Sequence, residues 1–400
     1  MEQELIYRNI AVIGCGAAGG LVSVLLSKNP ELKVAAFDNK EPFSTLLPTG
    51  GGRCNLTYDE DDVREFVKNY PRGEKFLMSV FSKFGQAKTR KLFKDLGIKT
   101  YVQPDKRVFP ISDSSLKTVQ ALRKHLENSN FSFIKEKVID VIKKGNSFVV
   151  KTLNSEYSFD AVVVTTGGGG NGCEIAKKLG HKIVELKPSL TALDIKEREL
   201  YSLSGLSFKN VDAVFKIGKK NFSCCGDFLF THKSISGPCV FKVSAETAYE
   251  EFDEKTPLEV IFKFTDYSVE QIEEEIKNNP KKTIKNVFSM FAPESFISVI
   301  LAMNNIEQSK QIAQIKKSEK EILINSLVNL KLHAVKRIKD SEIVTAGGVD
   351  LNEINSKTME SKLLSGLFFA GEVLNIDAYT GGFNLQNAWS GAYVVSSNFN

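Results

Sequence analysis

The hydrophobic positions near the start of the chain form a short uncharged run that leads directly into glycines. Residues Ile10–Ile13 are apolar, and Gly14, Gly16 and Gly19 follow with the spacing G-x-G-x-x-G. A second run of apolar and small residues then extends to Leu26. The first run predicts a buried strand, and the glycines predict a tight turn into a helix. Strand, turn and helix in this order hold the pyrophosphate of a dinucleotide.

Each glycine of this motif has a separate physical role. Gly14 permits the turn, Gly16 lets the backbone approach the phosphates, and Gly19 lets the helix pack close to the strand. The N–H groups of the helix start, at Ala17 and Ala18, are expected to face the negative charge of the ligand.

A second strand is predicted over Lys33–Phe37, and it ends at Asp38, 24 residues after Gly14. An acid at this spacing accepts hydrogen bonds from the ribose hydroxyls of a dinucleotide. Because a carboxylate repels a 2′-phosphate, Asp38 favours FAD or NAD over NADP at this site.

Four further glycine patterns have the character of ligand loops. Gly50–Gly52 precede Arg53 and Asn55, where the glycine N–H groups can form an anion nest and Arg53 can pair with a phosphate or a carboxylate. The apolar strand ending at Thr166 opens into Gly167–Gly172, and the strand Leu367–Ala370 ends at Gly371 and Glu372. Gly381 and Gly382 open a final helix through Phe383 and Asn384, with an N-terminus that can stabilise ligand charge.

The pattern changes in the middle of the chain. Four alternating runs over 132–159 predict a meander, and short alternating runs from about 188 to 264 predict antiparallel strands. The pattern is helical over 268–329, and strand character returns after 330. These shifts predict a cofactor-binding domain over 1–188 and 331–400, an inserted β-rich domain over 189–264 and an inserted helical domain over 265–330.

Composition narrows the class of protein without identifying it. Apolar residues make up 42% and charged residues 25%, with a net charge of +5, as in an ordinary soluble globular protein. The N-terminus lacks the features of a signal peptide, and no apolar run approaches the length of a membrane span. The six cysteines form no C-x-x-C pair and no zinc-type cluster with histidine, so we expect a reduced, cytoplasmic protein without a metal site.

Beyond these patterns, the chain resembles one bacterial flavoprotein family, the BaiN-like or aminoacetone-oxidase-like NAD(P)/FAD-dependent oxidoreductases. The resemblance covers about residues 10 to 397, and it is carried by Gly14–Gly19, Gly50-Gly-Gly-Arg-Cys-Asn55, Phe230–Pro238, Val344–Val349, Thr358–Lys362 and Phe369–Asn384. It implies an α/β fold with a Rossmann-type FAD-binding domain built from N- and C-terminal segments, inserted β-barrel-like and helical domains, and non-covalent FAD. The family is poorly defined in substrate, and its assigned reactions range from amine oxidation to reduction of steroid double bonds. This chain departs from it at Pro48-Thr49, in a shortened loop after Thr166 and at Lys233-Ser234, which follow His232.

Motifs and resemblance together predict which residues line the cofactor. The expected cofactor-binding residues are Gly14, Gly16, Ala17, Ala18, Gly19, Asp38, Gly52, Arg53, Asn55, Thr166, Gly167, Gly371, Glu372, Gly382, Phe383 and Asn384. Flavin chemistry needs few side chains, so the catalytic residues stay unassigned, with Cys54, His232 and Tyr379 as weak candidates. For each of these three a structural role is the competing interpretation.

The sequence leaves two alternative functions open. The first is an FAD-dependent oxidoreductase acting on an unidentified small organic substrate, either as an oxidase or as a reductase that binds NAD(P)H transiently. The sequence does not indicate a dedicated NAD(P) domain. The second is a flavoprotein with a structural cofactor, whose lysine-rich insert over 265–340 docks RNA or a protein partner. A solvated helix surface is the competing interpretation of that insert.

Overall fold

The computed structural model describes residues 7–399, and the chain divides into two compact units. The first unit combines the chain up to residue 187 with the chain from residue 344 onward, and the second comprises residues 188–343. Each unit has its own hydrophobic core.

The N-terminal segment supplies most strands of the first unit. Its elements in order are β1 (Asn9–Ile13), α1 (Ala17–Leu26), β2 (Lys33–Phe37), β3 (Thr57–Tyr58), α2 (Val63–Val67), α3 (Glu74–Lys83), α4 (Gln86–Asp95), β4 (Thr100–Val102), β5 (Arg107–Pro110), α5 (Ser115–Lys124), β6 (Phe131–Ile134), β7 (Asp140–Lys144), β8 (Ser147–Lys151), β9 (Glu156–Phe159), β10 (Ala161–Val164), α6 (Gly172–Lys178) and β11 (Ile183–Leu190).

The remaining elements complete both units. The second unit contains β12 (Leu193–Ile195), β13 (Ser207–Ile217), β14 (Lys220–Phe230), β15 (Ile235–Ser236), α7 (Pro238–Glu246), β16 (Leu258–Lys263), α8 (Val269–Asn278), α9 (Ile284–Phe288), α10 (Glu294–Met303), α11 (Lys317–Val328) and β17 (Leu330–Arg337). The chain then returns to the first unit with β18 (Val344–Val349), β19 (Leu367–Phe369) and α12 (Phe383–Ser396).

A parallel sheet in the order β19-β10-β1-β2-β6 forms the centre of the first unit. In its register Ile13 lies opposite both Val164 and Phe37, and Val164 lies opposite Phe369. The carboxyl ends of four strands therefore lie at one level. Each of these strands is almost entirely buried, as expected for a sheet covered on both faces.

The predicted meander is wrong in its first strand. The strands β7, β8 and β9 form an antiparallel sheet, while β6 joins the parallel sheet beside β2, with Phe131 opposite Val34. The apolar residues of the run Phe131–Ile134 are partly buried in the parallel sheet. Two smaller sheets complete the first unit, one of β3, β5 and β4 and one pairing β11 with β18.

The second unit is built around a closed barrel of six strands, in the order β12-β15-β14-β13-β16-β17. Its core is rich in phenylalanine, and the ring centroid of Phe228 lies within 5.1 Å of those of Phe230, Phe262 and Phe264. The helices α8–α11 belong to the same compact unit as the barrel.

Barrel closure corrects the predicted domain boundary at residue 331. That boundary places β17 in the cofactor domain, but β17 pairs with both β16 and β12 and closes the barrel. The return to the first unit therefore comes at residue 344, and the predicted β-rich and helical inserts are parts of one unit. The sequence could not indicate this, because strand character alone does not say which neighbour a strand pairs with.

Across residues 7–399 the structure contains no helix with both the length and the apolarity to cross a lipid bilayer.

Candidate cofactor site

The turn after β1 is closed around glycines that have no room for a side chain. Gly14 has φ +87°, and a Cβ atom there would lie 2.7 Å from the carbonyl oxygen of Thr165. A Cβ atom on Gly19 would lie only 1.9 Å from the carbonyl oxygen of Gly14. The first and third glycines of the motif are therefore required by the packing of the protein itself.

The neighbouring strands hold this turn from both sides. The carboxylate of Asp38, at the end of β2, accepts hydrogen bonds from the backbone N–H of Cys15 at 2.7 Å and of Lys40 at 3.0 Å. The hydroxyl of Thr165, just after β10, donates to the carbonyl oxygen of Gly14 at 2.7 Å. Asp38 thus fixes the turn, and its oxygens keep further acceptor capacity for the ribose contact that the spacing predicts.

The N-terminus of α1 is open to an anion. Gly16 is its N-cap residue and supplies no capping side chain, and the first turn contains no acidic residue. The N–H groups at Ala17 and Ala18 belong to the first turn, where no intrahelical acceptor exists. A helix start in this state is a binding site for a phosphate group.

The carboxyl end of β19 approaches the same helix start. Gly371 has φ +80°, and a Cβ atom there would lie 3.2 Å from the Cβ atom of Ala18. The next residue, Glu372, accepts a hydrogen bond from the backbone N–H of Thr345 at 2.7 Å. The structure thus brings Gly371 beside the first glycine motif, which lies more than 350 residues away in sequence.

The turn at Gly50–Gly52 differs from the first, because two of its glycines face empty space. All three have positive φ, at 59°, 67° and 82°, yet no atom lies within 4 Å of a Cβ placed on Gly51 or Gly52. Backbone hydrogen bonds fix the turn, from Cys54 to Thr49 at 2.9 Å and from Ser115 to Gly52 at 2.8 Å. It is therefore an ordered loop with an uncovered backbone.

Arg53 anchors this loop to the protein. Its Nε donates to Asp113 at 2.7 Å, its Nη2 donates to the hydroxyl of Tyr101 at 2.7 Å, and its guanidinium lies 4.1 Å from the ring centroid of Phe109. Two of its nitrogens are thus committed to protein partners. The sequence offered no signal for this, since Asp113 lies 60 residues away.

Beside this loop lies a buried polar atom that no protein group satisfies. The Oδ1 atom of Asn55 has no hydrogen-bond partner among the described residues, and Asn55 is 8% exposed. An unsatisfied buried amide oxygen is costly and rare in native proteins, so it requires a donor that the protein does not supply.

The loop after β10 also opens toward empty space. Gly167 has φ +72°, and a Cβ placed there would meet no atom within 4 Å, whereas a Cβ on Gly172 would lie 2.2 Å from the Oγ1 atom of Thr166. Thr166 is therefore packed against its own loop, and the backbone at Gly167 stays uncovered.

The C-terminal turn combines a fixed backbone with an uncapped helix start. Gly382, at φ +99°, is the N-cap of α12 and lies so close to Thr57 that a Cβ would approach its carbonyl carbon to 2.7 Å. Phe383 points into the core against Tyr58, with 4.9 Å between ring centroids. The side-chain amide of Asn384 bonds the backbone of Ala378, accepting from its N–H at 3.0 Å and donating to its oxygen at 2.9 Å. Phe383 and Asn384 therefore offer a ligand their backbone, because the protein occupies both side chains.

One strong interaction near this turn had no sequence signal. The guanidinium of Arg72 forms a two-pronged salt bridge with Asp377, whose side chain is fully buried. Such a pair costs desolvation and fixes geometry, so it positions the segment that leads to Gly381 and Gly382.

The three catalytic candidates have different surroundings. Burial raises the pKa of the Cys54 thiol to about 12, so the thiol stays neutral at physiological pH. His232 is exposed on the second unit. Tyr379 is half-buried within the C-terminal turn, and its N–H donates to the carbonyl oxygen of Asn69 at 3.0 Å. Of the three, Tyr379 alone combines a titratable hydroxyl with a place in one of the glycine turns.

The residues present fit a dinucleotide. The uncapped start of α1 and the uncovered loop at Gly167 follow β1 and β10 at the carboxyl ends of the parallel strands, and the Gly50–Gly52 loop and the unsatisfied amide oxygen of Asn55 belong to the same unit. Ligands of open α/β sheets bind at this edge. Within residues 7–399 no group of three side chains suits a metal ion.

Fold and site therefore define a Rossmann-type dinucleotide-binding protein that carries an inserted barrel. The chain belongs to the family described as HI0933-like protein Rossmann domain, whose model matches residues 8–398. This assignment confirms the flavoprotein oxidoreductase class predicted from the resemblance, with FAD as its cofactor.

Individual relatives span almost the whole chain. The chain is 27% identical to the ribosomal RNA dihydrouridine synthase of Escherichia coli (strain K12), over 96% of each protein. It is 24% identical to the 3-dehydro-bile acid delta(4,6)-reductase of Clostridium scindens, over 96% of this chain and 97% of that protein. A solved structure of similar fold is the 3-ketosteroid delta1-dehydrogenase of Sterolibacterium denitrificans, with a TM-score of 0.50, 12% identity and coverage of 98% and 99%.

Proposed function

We propose that the protein is an FAD-dependent reductase of a carbon–carbon double bond conjugated to a carbonyl group. The cofactor part of the proposal is supported by the approach of Gly371 to Ala18 and of Gly14 to Thr165, which collects three glycine turns around one helix start. Among these turns the start of α1 is uncapped and a Cβ at Gly167 would meet empty space, as the binding of a long, charged cofactor requires.

The names of the two curated relatives support the reaction type. A dihydrouridine synthase yields a uracil ring saturated at one carbon–carbon bond, and a delta(4,6)-reductase saturates a steroid double bond. In both cases the double bond is conjugated to a carbonyl group, which makes its far carbon electrophilic. The shared chemistry is hydride addition at that carbon and protonation of the carbon next to the carbonyl.

The reducing equivalents are proposed to come from NADH or NADPH that binds transiently. Two G-x-G-x-x-G strings occur in the chain: Gly14–Gly19 forms the turn after β1, and Gly167–Gly172 follows β10 of the same parallel sheet, so neither marks a separate NAD(P) domain. A nicotinamide donor then has to approach the flavin directly, and the oxidised donor has to leave before the substrate enters.

When bound, FAD supplies hydride transfer, and the chain supplies position, electrostatics and a proton. The uncapped starts of α1 and α12 would hold the pyrophosphate and the pyrimidine edge of the flavin, where their positive ends would stabilise negative charge. The salt bridge of Arg72 with Asp377 and the amide of Asn384 hold the backbone of the C-terminal turn. The hydroxyl of Tyr379 is the proposed proton donor to the substrate carbon.

Charge distribution favours this enzymatic function over a docking role for the helical insert. Residues 188–343 contain 22 lysines and arginines and 22 aspartates and glutamates, so the second unit has no net charge. Lysines of the insert are paired, for example Lys310 with Glu319 at 2.7 Å and Lys320 with Glu273 at 2.7 Å. A neutral, internally paired surface lacks the excess charge that drives nonspecific RNA binding.

The test separates the two half-reactions. The FAD-loaded protein is mixed without oxygen with NADH or NADPH, and loss of the visible flavin absorbance is followed. The reduced protein is then mixed with a 3-oxo-4-ene steroid or with unmodified ribosomal RNA. We expect the absorbance to return with at least one of these acceptors, along with a saturated product detected by mass spectrometry. If oxygen reoxidises the flavin and neither organic acceptor does, the protein is an oxidase and the proposal is overturned.

A Tyr379→Phe variant tests the proton donor. The nicotinamide donor should reduce its flavin at the wild-type rate. The rate of acceptor reduction should fall by about 100-fold, as expected for a lost general acid. Equal turnover by both proteins would remove Tyr379 from the chemistry.

A further inference from the structure

Three cysteines of the second unit lie close together although the sequence separates one of them from the others. Cys224 and Cys225 are neighbours on β14, and Cys239 lies in the first turn of α7. The strand and the helix approach so closely that a Cβ on Gly226 would lie 2.8 Å from the backbone nitrogen of Cys239. The Sγ atom of Cys224 lies 3.6 Å from the carbonyl oxygen of Cys239.

The three thiols differ in accessibility. Cys225 is exposed, Cys224 is partly buried, and Cys239 is fully buried. Adjacent residues of a strand point to opposite faces, so Cys225 cannot take the position of Cys224 against α7. Between β14 and α7 there is therefore one partly accessible thiol, that of Cys224, beside the buried thiol of Cys239.

The electrostatic surroundings favour reaction at Cys224. A hydrogen bond from the Cys239 thiol, followed by the positive charge of Lys242, lowers the pKa of Cys224 despite its burial. The pKa of Cys225 is raised, first by burial and then by Asp212. Since the thiolate is the nucleophile in thiol–disulfide exchange, Cys224 is the better attacking group of the two.

We propose that Cys224 and Cys239 are a reversible dithiol site that a low-molecular-weight disulfide oxidises to an intramolecular disulfide. The Cys224 thiolate attacks one sulfur of the small disulfide, which forms a mixed disulfide and expels one thiolate. The expelled thiolate takes the proton of the Cys239 thiol, and the Cys239 sulfur then attacks the Cys224 sulfur and expels the second thiolate. The protein loses two thiol hydrogens, and the small disulfide is reduced to two thiols.

The new bond would close a loop that contains one of the motifs shared with the flavoprotein family. Residues 225–238 lie between the two cysteines, and they include the string Phe230–Pro238. Oxidation would therefore tie the end of β14 to the start of α7 across that string. Sequence spacing alone gives no hint of this pair, because neither C-x-x-C nor any short repeat is present.

The experiment uses the full-length FAD-loaded protein and oxidised glutathione as the disulfide. After treatment at about pH 8, remaining thiols are alkylated, and tryptic peptides are identified by mass spectrometry. We expect peptides 221–233 and 234–242 to be joined by a disulfide, with the link broken by dithiothreitol. Alkylation of both Cys224 and Cys239 in the treated protein would overturn the proposal.

Three variants identify the partners. Cys225→Ser should form the same link as the wild type, and it serves as the matched control because it removes the neighbouring thiol. Cys239→Ser should retain one glutathione on Cys224, since the second thiol is missing. Cys224→Ser should form no link, and a link that persisted there would make Cys225 the partner and contradict the assignment.

Discussion

In the turn after β1, the space that glycine side chains would occupy is filled by the protein, whereas in the Gly50–Gly52 turn it is largely empty. A Cβ on Gly19 would collide with Gly14, but a Cβ on Gly51 or Gly52 would meet no atom within 4 Å. Both turns contain glycines with positive φ, and the sequence predicts that both touch the cofactor. The comparison separates glycines needed for folding from glycines needed for a ligand.

The largest effect is expected from Gly19→Ala. The new methyl group would lie 1.9 Å from the carbonyl oxygen of Gly14 and 2.4 Å from the hydroxyl of Thr165, so α1 has to move away from β1. We expect a loss of about 3 kcal/mol in the free energy of unfolding, typical of severe overpacking, together with loss of FAD. Urea denaturation of the FAD-free protein measures the first and flavin content measures the second.

The control for this variant is Gly169→Ala, a glycine whose added Cβ meets no atom within 4 Å. Its stability should match the wild type. Equal urea midpoints for Gly19→Ala and the wild type would show that the turn after β1 tolerates a side chain.

The next effect comes from Gly52→Ala, with Gly97→Ala as a matched control. The two glycines have φ +82° and +83°, and a Cβ added to either would meet no atom within 4 Å. Each variant should lose about 1 kcal/mol from backbone strain. Only Gly52→Ala should also weaken FAD binding, by about tenfold, which corresponds to about 1.4 kcal/mol. FAD titration followed by fluorescence measures the affinity of each variant for FAD. Equal affinities for both variants would remove Gly52 from the site.

A smaller effect separates two roles for Arg53. Its side chain is about one third exposed and its partner Asp113 about half exposed, so breaking the pair should cost less than about 1 kcal/mol of stability. If Arg53 acts by positioning the loop, Arg53→Met and Asp113→Asn should weaken FAD binding by similar factors. If Arg53 contacts the cofactor directly, only Arg53→Met should weaken it. The two dissociation constants, measured side by side, distinguish the roles.

The smallest effect concerns Cys15, in the turn after β1, and Cys54, which follows the Gly50–Gly52 turn. Burial raises the pKa of both Cys15 and Cys54 to about 12, so neither thiol ionises as the pH rises from about 7 to about 9. We expect iodoacetamide to leave both unmodified in the folded protein across that range, while Cys225 is alkylated. Mass spectrometry of the modified peptides provides the check, and rapid labelling of Cys54 would restore it as a catalytic candidate.

The sequence predicts those parts of the fold in which the backbone conformation requires a particular type of residue. The spacing of Gly14, Gly16 and Gly19 located β1 and α1, and the position of Asp38 located the end of β2. Each depends on residues within one continuous segment. Gly371 is predicted to line the same cofactor as this turn, and in the structure both lie at the carboxyl edge of the parallel sheet, where such loops meet.

What sequence reasoning missed depends on contacts between distant side chains. The partners of Arg53 lie 48 and 60 residues away, the partner of Arg72 lies 305 residues away, and β17 closes a barrel whose other strands begin at residue 193. Neither hydrophobic periodicity nor turn chemistry encodes such pairings. They arise from packing and charge complementarity, which only the folded chain displays.

The order of strands in the parallel sheet has a consequence for how the chain is made. β10 ends at Val164, but its outer neighbour β19 begins only at Leu367. At a synthesis rate of roughly 5–20 residues per second, the ribosome needs about 10 to 40 s to produce the chain between them. During that interval the edge of β10, with every residue apolar, has no partner from its own chain, and newly made chains would benefit from a chaperone that covers it.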